Sequence, residues 1–265
     1  MHPATLEFIN STCGAKVTYG TPAQEVVSTG IAALDVSTGG IPKGRIVEIY
    51  GPDGCGKTAL ALHMARQIGG PTLYVDADGG LSPYILNGQD LYLLRTETLE
   101  DTLDACQIAI VGGFRAVVID TVAALPTNED TRVNLTEEWA DCRSRQPKVM
   151  SKALPILSGF LYHTGCTLIL VNQLRETPGK FWGDPTHPTG GQAIGYYAAL
   201  RLKVCRTEII RNQSELIIGQ KIRIETVKCK YAPPGKRADI ALIYGEGVEP
   251  NKQTKPRGNK RTGAK

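Results

Sequence analysis

Short apolar segments alternate with amphipathic segments along most of the chain. The apolar segments are rich in β-branched residues and predict strands over residues 45–50, 72–77, 116–125 and 167–174. The amphipathic segments between them predict helices over residues 57–68, 99–111 and 148–163. Because each predicted strand is apolar on both faces, helices should cover both sides of the sheet. The pattern therefore predicts an α/β fold with a mostly parallel, doubly wound sheet.

The last quarter of the chain changes to longer strands that are separated by polar turns. These strands are predicted over residues 197–207, 221–231 and 238–244. They should extend the sheet in antiparallel fashion. Two connections, residues 126–141 and 175–191, are too long for plain connectors. Because connections of that length in a compact domain are usually functional or disordered, both are candidate binding loops.

Composition narrows the class of protein. The chain has 265 residues, 42% hydrophobic and 21% charged, which suits one large α/β domain. It has no apolar run of the ~18 to 20 residues that a membrane span needs, and its first residues lack the pattern of a signal peptide. We therefore expect a cytoplasmic protein without a membrane partner. Its seven cysteines include no C-x-x-C pair, so we expect neither a disulfide framework nor a zinc site.

Positive charge is concentrated at the end of the chain. Residues 251–265 hold six basic side chains and no acidic one. Removing those six from the total of 30 leaves 24 basic against 26 acidic side chains in residues 1–250, a net charge of −2. With almost no apolar residue, the tail should be disordered. It is either a solubilising end or an arm that binds the phosphates of nucleic acid.

The most specific motif lies between a predicted strand and a predicted helix. It is a complete G-x-x-x-x-G-K-[ST] pattern, formed by Gly51, Pro52, Asp53, Gly54, Cys55, Gly56, Lys57 and Thr58. Such glycines let backbone N–H groups turn toward phosphate oxygens, and the helix N-terminus adds a partial positive charge. Lys57 should reach the β and γ phosphates, and Thr58 should offer its hydroxyl to Mg²⁺. The alternative is a glycine-rich turn that binds nothing.

Acidic residues end two of the predicted strands. Asp120 follows an apolar strand, where its carboxylate would face a bound nucleotide and hold Mg²⁺ through water. A helix cap or a turn is the alternative role for Asp120. Asp76 and Asp78 end another strand, and Asp78 is the candidate base that orients and deprotonates the attacking water. Turn chemistry before Gly79 is the alternative for Asp78.

Four motifs resemble the bacterial RecA recombinase family in their order and spacing. They are residues 41–52 (IPKGRIVEIYGP), 118–125 (VIDTVAAL), 171–175 (VNQLR) and 244–247 (YGEG). The resemblance covers about residues 27–248. It implies a RecA-like P-loop NTPase core, with ATP and Mg²⁺ as ligands. It also implies single-stranded and double-stranded DNA as partners.

The resemblance implies two DNA-binding loops, one in each long connection. The DNA contacts that it implies are Lys148, Ser151, Arg175, Lys180, Phe181, Trp182, Gly190 and Gly191. Independently of any family, a loop that combines basic residues with Phe181 and Trp182 has the composition that proteins use to bind single strands. Packing of Trp182 within the protein is the alternative.

The resemblance implies roles for four further residues. Gln173 matches the glutamine that senses the γ-phosphate and passes its presence to the following loop. Lys228 and Lys230 match the paired lysines that reach the γ-phosphate of a neighbouring subunit, whereas a solvated edge strand is the alternative for them. Tyr84 is displaced by one residue from the family position of the tyrosine that stacks on adenine. With Asp78 as base, these residues complete the expected catalytic set and nucleotide site.

The chain also departs from the family pattern. Asp78 stands where the family has a glutamate, which withdraws the carboxylate by ~1.5 Å and predicts slow hydrolysis. The N-terminal segment that docks onto the next protomer is abbreviated. We expect a compact variant without the usual C-terminal domain after residue 248, with a basic end where family members are acidic.

We therefore expect three parts in the chain. They are a short N-terminal oligomerisation segment (residues 1–28), a RecA-like ATPase core (29–250) and the basic tail (251–265). The expected activity is a slow, DNA-dependent ATPase that forms helical filaments on single-stranded DNA and promotes homologous pairing. One alternative is a helicase or repair ATPase on the same core. The other is a non-catalytic modulator that assembles with a full-length recombinase.

Overall fold

The computed structural model describes residues 23–81, 90–132, 142–176 and 186–248. Several expectations fall on other parts of the chain. Most of the oligomerisation segment, Tyr84, Lys180, Phe181, Trp182 and the basic tail lie outside the described residues. Within the described ranges, no helix is both long enough and apolar enough to cross a membrane.

A large mixed sheet forms the centre of the structure, and a small two-stranded sheet lies beside it. The strands are β1 (Val26–Val27), β2 (Ile41–Pro42), β3 (Ile46–Gly51), β4 (Thr72–Asp76), β5 (Leu91–Leu94), β6 (Ala116–Asp120), β7 (Thr167–Glu176), β8 (Thr186–Pro188), β9 (Leu200–Arg211), β10 (Ile217–Cys229), β11 (Arg237–Ile243) and β12 (Gly247–Val248). The helices are α1 (Ala32–Thr38), α2 (Lys57–Ile68), α3 (Leu99–Val111), α4 (Cys142–Thr164) and α5 (Gln192–Tyr197), with 3₁₀ turns at Val122–Ala124 and Asp130–Arg132.

The order of strands across the large sheet is β12-β11-β10-β9-β3-β7-β6-β4-β5, and β8 pairs with β7. All neighbours from β9 to β5 are parallel. The pairs that involve β10, β11 and β12 are antiparallel. The sheet therefore has the predicted parallel part and the predicted antiparallel extension, and the expected fold class is confirmed.

The core lies on both faces of the sheet, because the parallel strands alternate buried side chains between two clusters. Val118 packs with Leu60 of α2 in one cluster. Val117 and Ile119 pack with Leu103 of α3 in the other cluster. The central strands β3, β4 and β6 are buried along their whole length. Helices on both faces thus explain why these strands are apolar at nearly every position.

Several predicted ends are wrong: the strand predicted over residues 221–231 is β10 (Ile217–Cys229), and the helix predicted from residue 148 begins at Cys142. The strand predicted over residues 116–125 stops at Asp120, and the chain turns into the 3₁₀ helix Val122–Ala124. Thr121 begins that turn, since its Oγ1 accepts a hydrogen bond from the backbone N–H of Ala123 at 3.4 Å. Val122 is fully buried, so the apolar run continues into the core without continuing the strand.

The strand predicted from residue 197 begins only at Leu200, because residues 192–197 form α5. Ile194 supplies the buried anchor of that short helix. The prediction also missed β5, an edge strand whose Tyr92 and Leu93 are exposed. β5 is apolar (LYLL) but only four residues long, which is shorter than the central strands.

Candidate functional site

The carboxyl edge of the parallel strands collects the predicted nucleotide-site residues. Gly51 ends β3 and pairs in register with Gln173 of β7. Asp76 ends β4 and pairs in register with Asp120, which ends β6. The strand register alone therefore brings residues that are more than 100 positions apart to one edge of the sheet.

The glycine-rich loop between β3 and α2 has a backbone that other residues would disturb. A Cβ added at Gly51 would lie 2.1 Å from the carbonyl oxygen of Val204, so β9 leaves no space for a side chain there. Gly54 and Gly56 adopt left-handed φ angles of 67° and 88°. Gly56 immediately precedes Lys57, the first residue of α2. The loop is thus a cradle that leads directly into a helix N-terminus, which suits phosphate.

The Lys57 side chain, at the start of α2, extends back to this loop. Its Nζ donates hydrogen bonds to the carbonyl oxygens of Gly51 at 3.1 Å and Pro52 at 2.8 Å, and it lies 3.8 Å from Asp53 Oδ1. Cys55, on the same loop, is buried, and burial raises the pKa of its thiol. A neutral thiol leaves Lys57 as the side chain in the loop that can meet phosphate charge.

Thr58 and Asp120 form the candidate magnesium site. Thr58 Oγ1 donates a hydrogen bond to Asp120 Oδ2 at 2.5 Å, and the hydroxyl of Tyr74 donates to the same oxygen at 2.7 Å. Burial raises the pKa of Asp120, although both hydrogen bonds act in the opposite direction. A hydroxyl and a carboxylate are oxygen ligands of the kind Mg²⁺ prefers, with phosphates and water completing its shell. The residues present therefore fit ATP with Mg²⁺.

The two other strand-end carboxylates differ in environment. Asp76 is buried, and its Oδ2 accepts hydrogen bonds from Arg95 at 2.8 and 3.2 Å. Asp78 is exposed, and its Oδ1 accepts a hydrogen bond from the backbone N–H of Gly80 at 3.0 Å. This is the turn chemistry that the sequence left open as the alternative for Asp78. Its role as a base remains a prediction.

Asn172 joins Gln173 to the far end of the second long connection. The Asn172 side chain is fully buried, and its Oδ1 accepts hydrogen bonds from the Gln173 N–H at 2.9 Å and from Thr189 Oγ1. Its Nδ2 donates to the Thr189 carbonyl at 2.8 Å and to Glu48 Oε1 at 3.0 Å. The predicted γ-phosphate sensor is therefore connected to Thr189 both through this buried side chain and through a backbone hydrogen bond from the Thr189 N–H to the Gln173 carbonyl at 3.2 Å. The sequence did not identify Asn172.

Lys228 and Lys230 lie at the end of β10, close to α5. Lys228 Nζ donates hydrogen bonds to the carbonyl oxygens of Gly195 and Tyr196, both at 2.8 Å. Partial burial lowers the pKa of Lys228, and the nearby Lys230 charge lowers it further. Lys230 is exposed, one residue beyond the end of the strand. The two lysines therefore differ, since Lys228 is bonded within the chain and Lys230 faces solvent.

The described DNA-contact candidates lie on α4 and at the two ends of the second long connection. Lys148 and Ser151 are exposed on α4, and Ser151 Oγ donates a hydrogen bond to the Pro147 carbonyl at 2.6 Å. A Cβ at Gly191 would lie 2.8 Å from Cβ of Pro147, so the end of the second connection packs against α4. Gly190 is buried on the same turn. Arg175 lies in β7 near the start of that connection.

A cavity of about 450 Å³ adjoins the phosphate loop. One wall is the first three turns of α2, and the other is formed by β10, β11 and the turn that follows β11. The cavity is also lined by four residues to which no role was assigned from the sequence: His63, Arg66, Gln220 and Tyr244. Tyr244 belongs to one of the four family-like motifs, so that motif was the available signal. His63 and Gln220 had no sequence signal of their own.

Comparison with known proteins agrees with this geometry. Residues 13–249 match the RecA N-terminal domain family. Protein RecA of Clostridium perfringens (strain 13 / Type A) is 37% identical over 241 residues, which cover 86% of this chain and 67% of that protein. Protein RecA of Bifidobacterium breve is 39% identical over 235 residues, covering 84% and 59%. The chain thus spans roughly three fifths to two thirds of the length of these relatives.

A solved structure gives the same fold. The crystal structure of the RadB recombinase superposes with a TM-score of 0.62 at 21% sequence identity. The superposition covers 85% of this chain and all of that one. At this level of identity the likeness concerns the architecture of the sheet and its helices.

Proposed function

The chain belongs to the RecA family, and from this premise we propose that it is an ATP-dependent DNA recombinase of the cytoplasm. It assembles as a helical filament on single-stranded DNA and promotes pairing with homologous double-stranded DNA. The family match and the fit of the loop to ATP with Mg²⁺ support this proposal. When bound, ATP supplies the γ-phosphate on which assembly and release depend.

Each part of the site has a separate task in this proposal. Residues 51–58 hold the phosphates, with Lys57 moving from its loop carbonyls to the β and γ oxygens. Thr58 and Asp120 would hold Mg²⁺, with the Asp120 carboxylate acting through water, and Tyr74 fixes that carboxylate by its hydrogen bond. Asp78 orients the attacking water. From the next protomer, Lys228 and Lys230 add positive charge at the γ-phosphate.

The observation that carries the proposal is the Asn172 bridge. Gln173 is in register with Gly51 of the phosphate loop, and Asn172 bonds both the Gln173 N–H and Thr189. The Thr189 N–H also donates to the Gln173 carbonyl at 3.2 Å, so a shift of Gln173 toward the γ-phosphate would alter the bonds that hold Thr189. This gives ATP binding a physical route to the segment proposed to contact DNA.

The test is DNA strand exchange by the purified chain with ATP and with a non-hydrolysable analogue. The parent should pair homologous strands with both nucleotides and should show filaments by electron microscopy. Lys57→Ala should lose ATP binding and, with it, tight DNA binding. Lys43→Ala is the matched control, because Lys43 precedes β3, at the opposite end of that strand from the phosphate loop, and its Nζ lies 3.4 Å from Glu25 Oε2.

Two outcomes of these experiments would favour the alternative functions instead. Closed rings that unwind duplex DNA would identify a helicase-type ATPase. Strand exchange that needs a second, full-length recombinase would identify a modulator, an outcome favoured by the exposed carboxylate of Asp78 turned toward Gly80. Unchanged ATP affinity in Lys57→Ala would reject the nucleotide site itself.

A further inference from the structure

Gln220 has a buried polar atom that the protein does not satisfy. It lies in β10, in register with Ile209 of β9 and Leu242 of β11, and it is 3% exposed. Its Oε1 has no hydrogen-bond partner among the described residues. A buried amide oxygen without a partner is destabilising, so natural structures seldom retain one without a reason.

Gln220 is one of the residues that line the cavity beside the phosphate loop. Its Nε2 would lie 3.3 Å from a Cβ placed at Gly56, the residue that precedes α2. The cavity continues along α2 as far as Arg66, about 12 Å beyond Thr58 at the helical rise of ~1.5 Å per residue. There is accordingly space beyond the phosphates for the sugar and the base.

The chemistry of the free atom decides which part of a nucleotide it can meet. An amide oxygen only accepts hydrogen bonds, and the oxygens of an ionised phosphate also only accept them. The partner of Oε1 must therefore be an N–H or O–H group. On a nucleoside triphosphate such groups are the sugar hydroxyls and the amino group of the base.

We propose that Gln220 Oε1 accepts a hydrogen bond from the nucleoside part of the bound nucleotide and thereby contributes to nucleotide selection. The inference rests on the proposed function, because it assumes that the loop holds a nucleoside triphosphate. It adds a specificity-determining residue that lies more than 150 positions from the phosphate loop. A ligand that donates to this oxygen gains a hydrogen bond on binding. A ligand without the donor leaves the oxygen buried and unpaired, so it should bind more weakly.

The first test removes the oxygen and preserves the shape. Gln220→Met should raise the melting temperature of the nucleotide-free protein by about 2–4 °C, because the unpaired acceptor is gone. The same variant should bind ATP about 10-fold more weakly in equilibrium dialysis. A gain in stability together with a loss in affinity is the signature of an oxygen reserved for a ligand.

The second test identifies the donor. Parent and variant are compared with dATP, which lacks the 2′ hydroxyl, with 3′-deoxyadenosine triphosphate, and with purine riboside triphosphate, which lacks the base amino group. The analogue that lacks the true partner should bind the parent more weakly than ATP does. The same analogue should match ATP in the Gln220→Met variant, since the oxygen that distinguishes them is absent.

Ile222→Met is the matched control. Ile222 lies two residues further along β10, and its Cδ1 would be 3.8 Å from a Cβ at Gly56, so the change alters packing at the same place without touching a polar atom. Its ATP affinity should equal that of the parent. If the parent binds ATP and all three analogues equally well, the inference is wrong whether or not Gln220→Met folds. If the parent binds no nucleotide, the proposed function fails first.

Discussion

Arg201 donates a hydrogen bond from Nε to Oε2 of Glu48 at 2.5 Å, between residues that pair in register on β9 and β3. The Glu48 side chain is 1% exposed, and its other oxygen accepts from Asn172. The Arg201 guanidinium also lies 5.1 Å from the centre of the Tyr50 ring. Three parallel strands thus meet at one buried carboxylate, a few residues below the phosphate loop.

Removing the positive charge of Arg201 should destabilise the folded protein. Arg201→Met should lower the free energy of unfolding by about 3–5 kcal/mol, because Glu48 is left buried without its charged partner. Glu48→Gln combined with Arg201→Met should recover much of the loss, since no buried charge then remains. Urea unfolding followed by circular dichroism measures both. A loss below about 1 kcal/mol in Arg201→Met would show that water or relaxation already compensates for the charge.

Substitutions of Lys228 and Lys230 should differ in their effect on stability and agree in their effect on filament assembly. Lys228→Ala should destabilise the protomer by about 1 kcal/mol, because the carbonyls of Gly195 and Tyr196 lose their donor. Lys230→Ala should leave stability unchanged. Both variants should bind ATP as protomers yet fail to form filaments, as judged by electron microscopy and sedimentation.

Lys221→Ala provides the control for the lysine pair. Lys221 is on the same strand, is exposed and contacts Glu208 at 2.6 Å. It should assemble as the parent does. Normal filaments in Lys228→Ala and Lys230→Ala would show that neither lysine acts on a neighbouring protomer.

Hydrolysis should be limited by the short side chain of Asp78. A positioned general base contributes about 10² to 10⁴ in rate, and most of this depends on placement. Asp78→Glu should therefore speed DNA-dependent phosphate release, and Asp78→Asn should reduce it to near zero with DNA binding intact. In the Asp78→Glu variant, the carboxylate must give up the hydrogen bond from the Gly80 N–H in order to reach the attacking water. The added methylene makes the side chain long enough to do so. A slower Asp78→Glu enzyme would mean that the backbone already fits the shorter acid.

Stability should depend on pH through His63. Its Nε2–H donates to the carbonyl of Thr29 at 2.7 Å, and burial lowers the pKa of the ring below 6.5. Because the folded-state pKa is lower than the unfolded one, the unfolded chain binds the extra proton first. His63 therefore favours folding above about pH 6.5 and loses this effect as the pH falls toward its folded pKa.

The measurement is urea unfolding of the parent and of His63→Gln between pH 5 and 8. Glutamine can keep a donor toward Thr29 but does not titrate. The parent should lose stability below about pH 6.5 more steeply than the variant. Parallel curves for the two proteins would show that His63 is protonated equally in the folded and unfolded states.

Elements with a local sequence signal could be predicted from the sequence, whereas features that depend on contacts between distant residues could not. Helices α2 and α3 were predicted with their observed ends, because each has a full amphipathic period and a clear boundary, such as Thr98, whose side chain accepts from the Asp101 N–H. The phosphate loop and Asp120 were found because their chemistry is local to the motif. The end of β6 was not found, since Val122 is buried in either conformation.

Two cavity residues show what sequence alone cannot supply. In the sequence, His63 is an ordinary residue of a predicted helix, and Gln220 is one polar residue next to a predicted strand. Their relation to the phosphate loop exists only because β9, β10 and β11 extend the sheet beside β3 and carry Gln220 back to the start of α2. Such pairings depend on the register between strands that are distant in sequence, so they cannot be predicted from the residues that neighbour His63 or Gln220.

The basic tail (residues 251–265) should strengthen DNA binding through its charge. Residues 1–250 carry a net charge of −2, so long-range attraction for a polyanion rests mainly on the six basic side chains beyond them. Truncation after residue 250 should weaken DNA binding. It should also reduce the magnitude of the slope of log K against log salt by up to about four units on single-stranded DNA, if all six charges release counterions. ATP affinity should not change, because residues 51–58 are untouched. Salt titrations of both proteins on one oligonucleotide provide the measurement, and coincident slopes would identify the tail as a solubilising end.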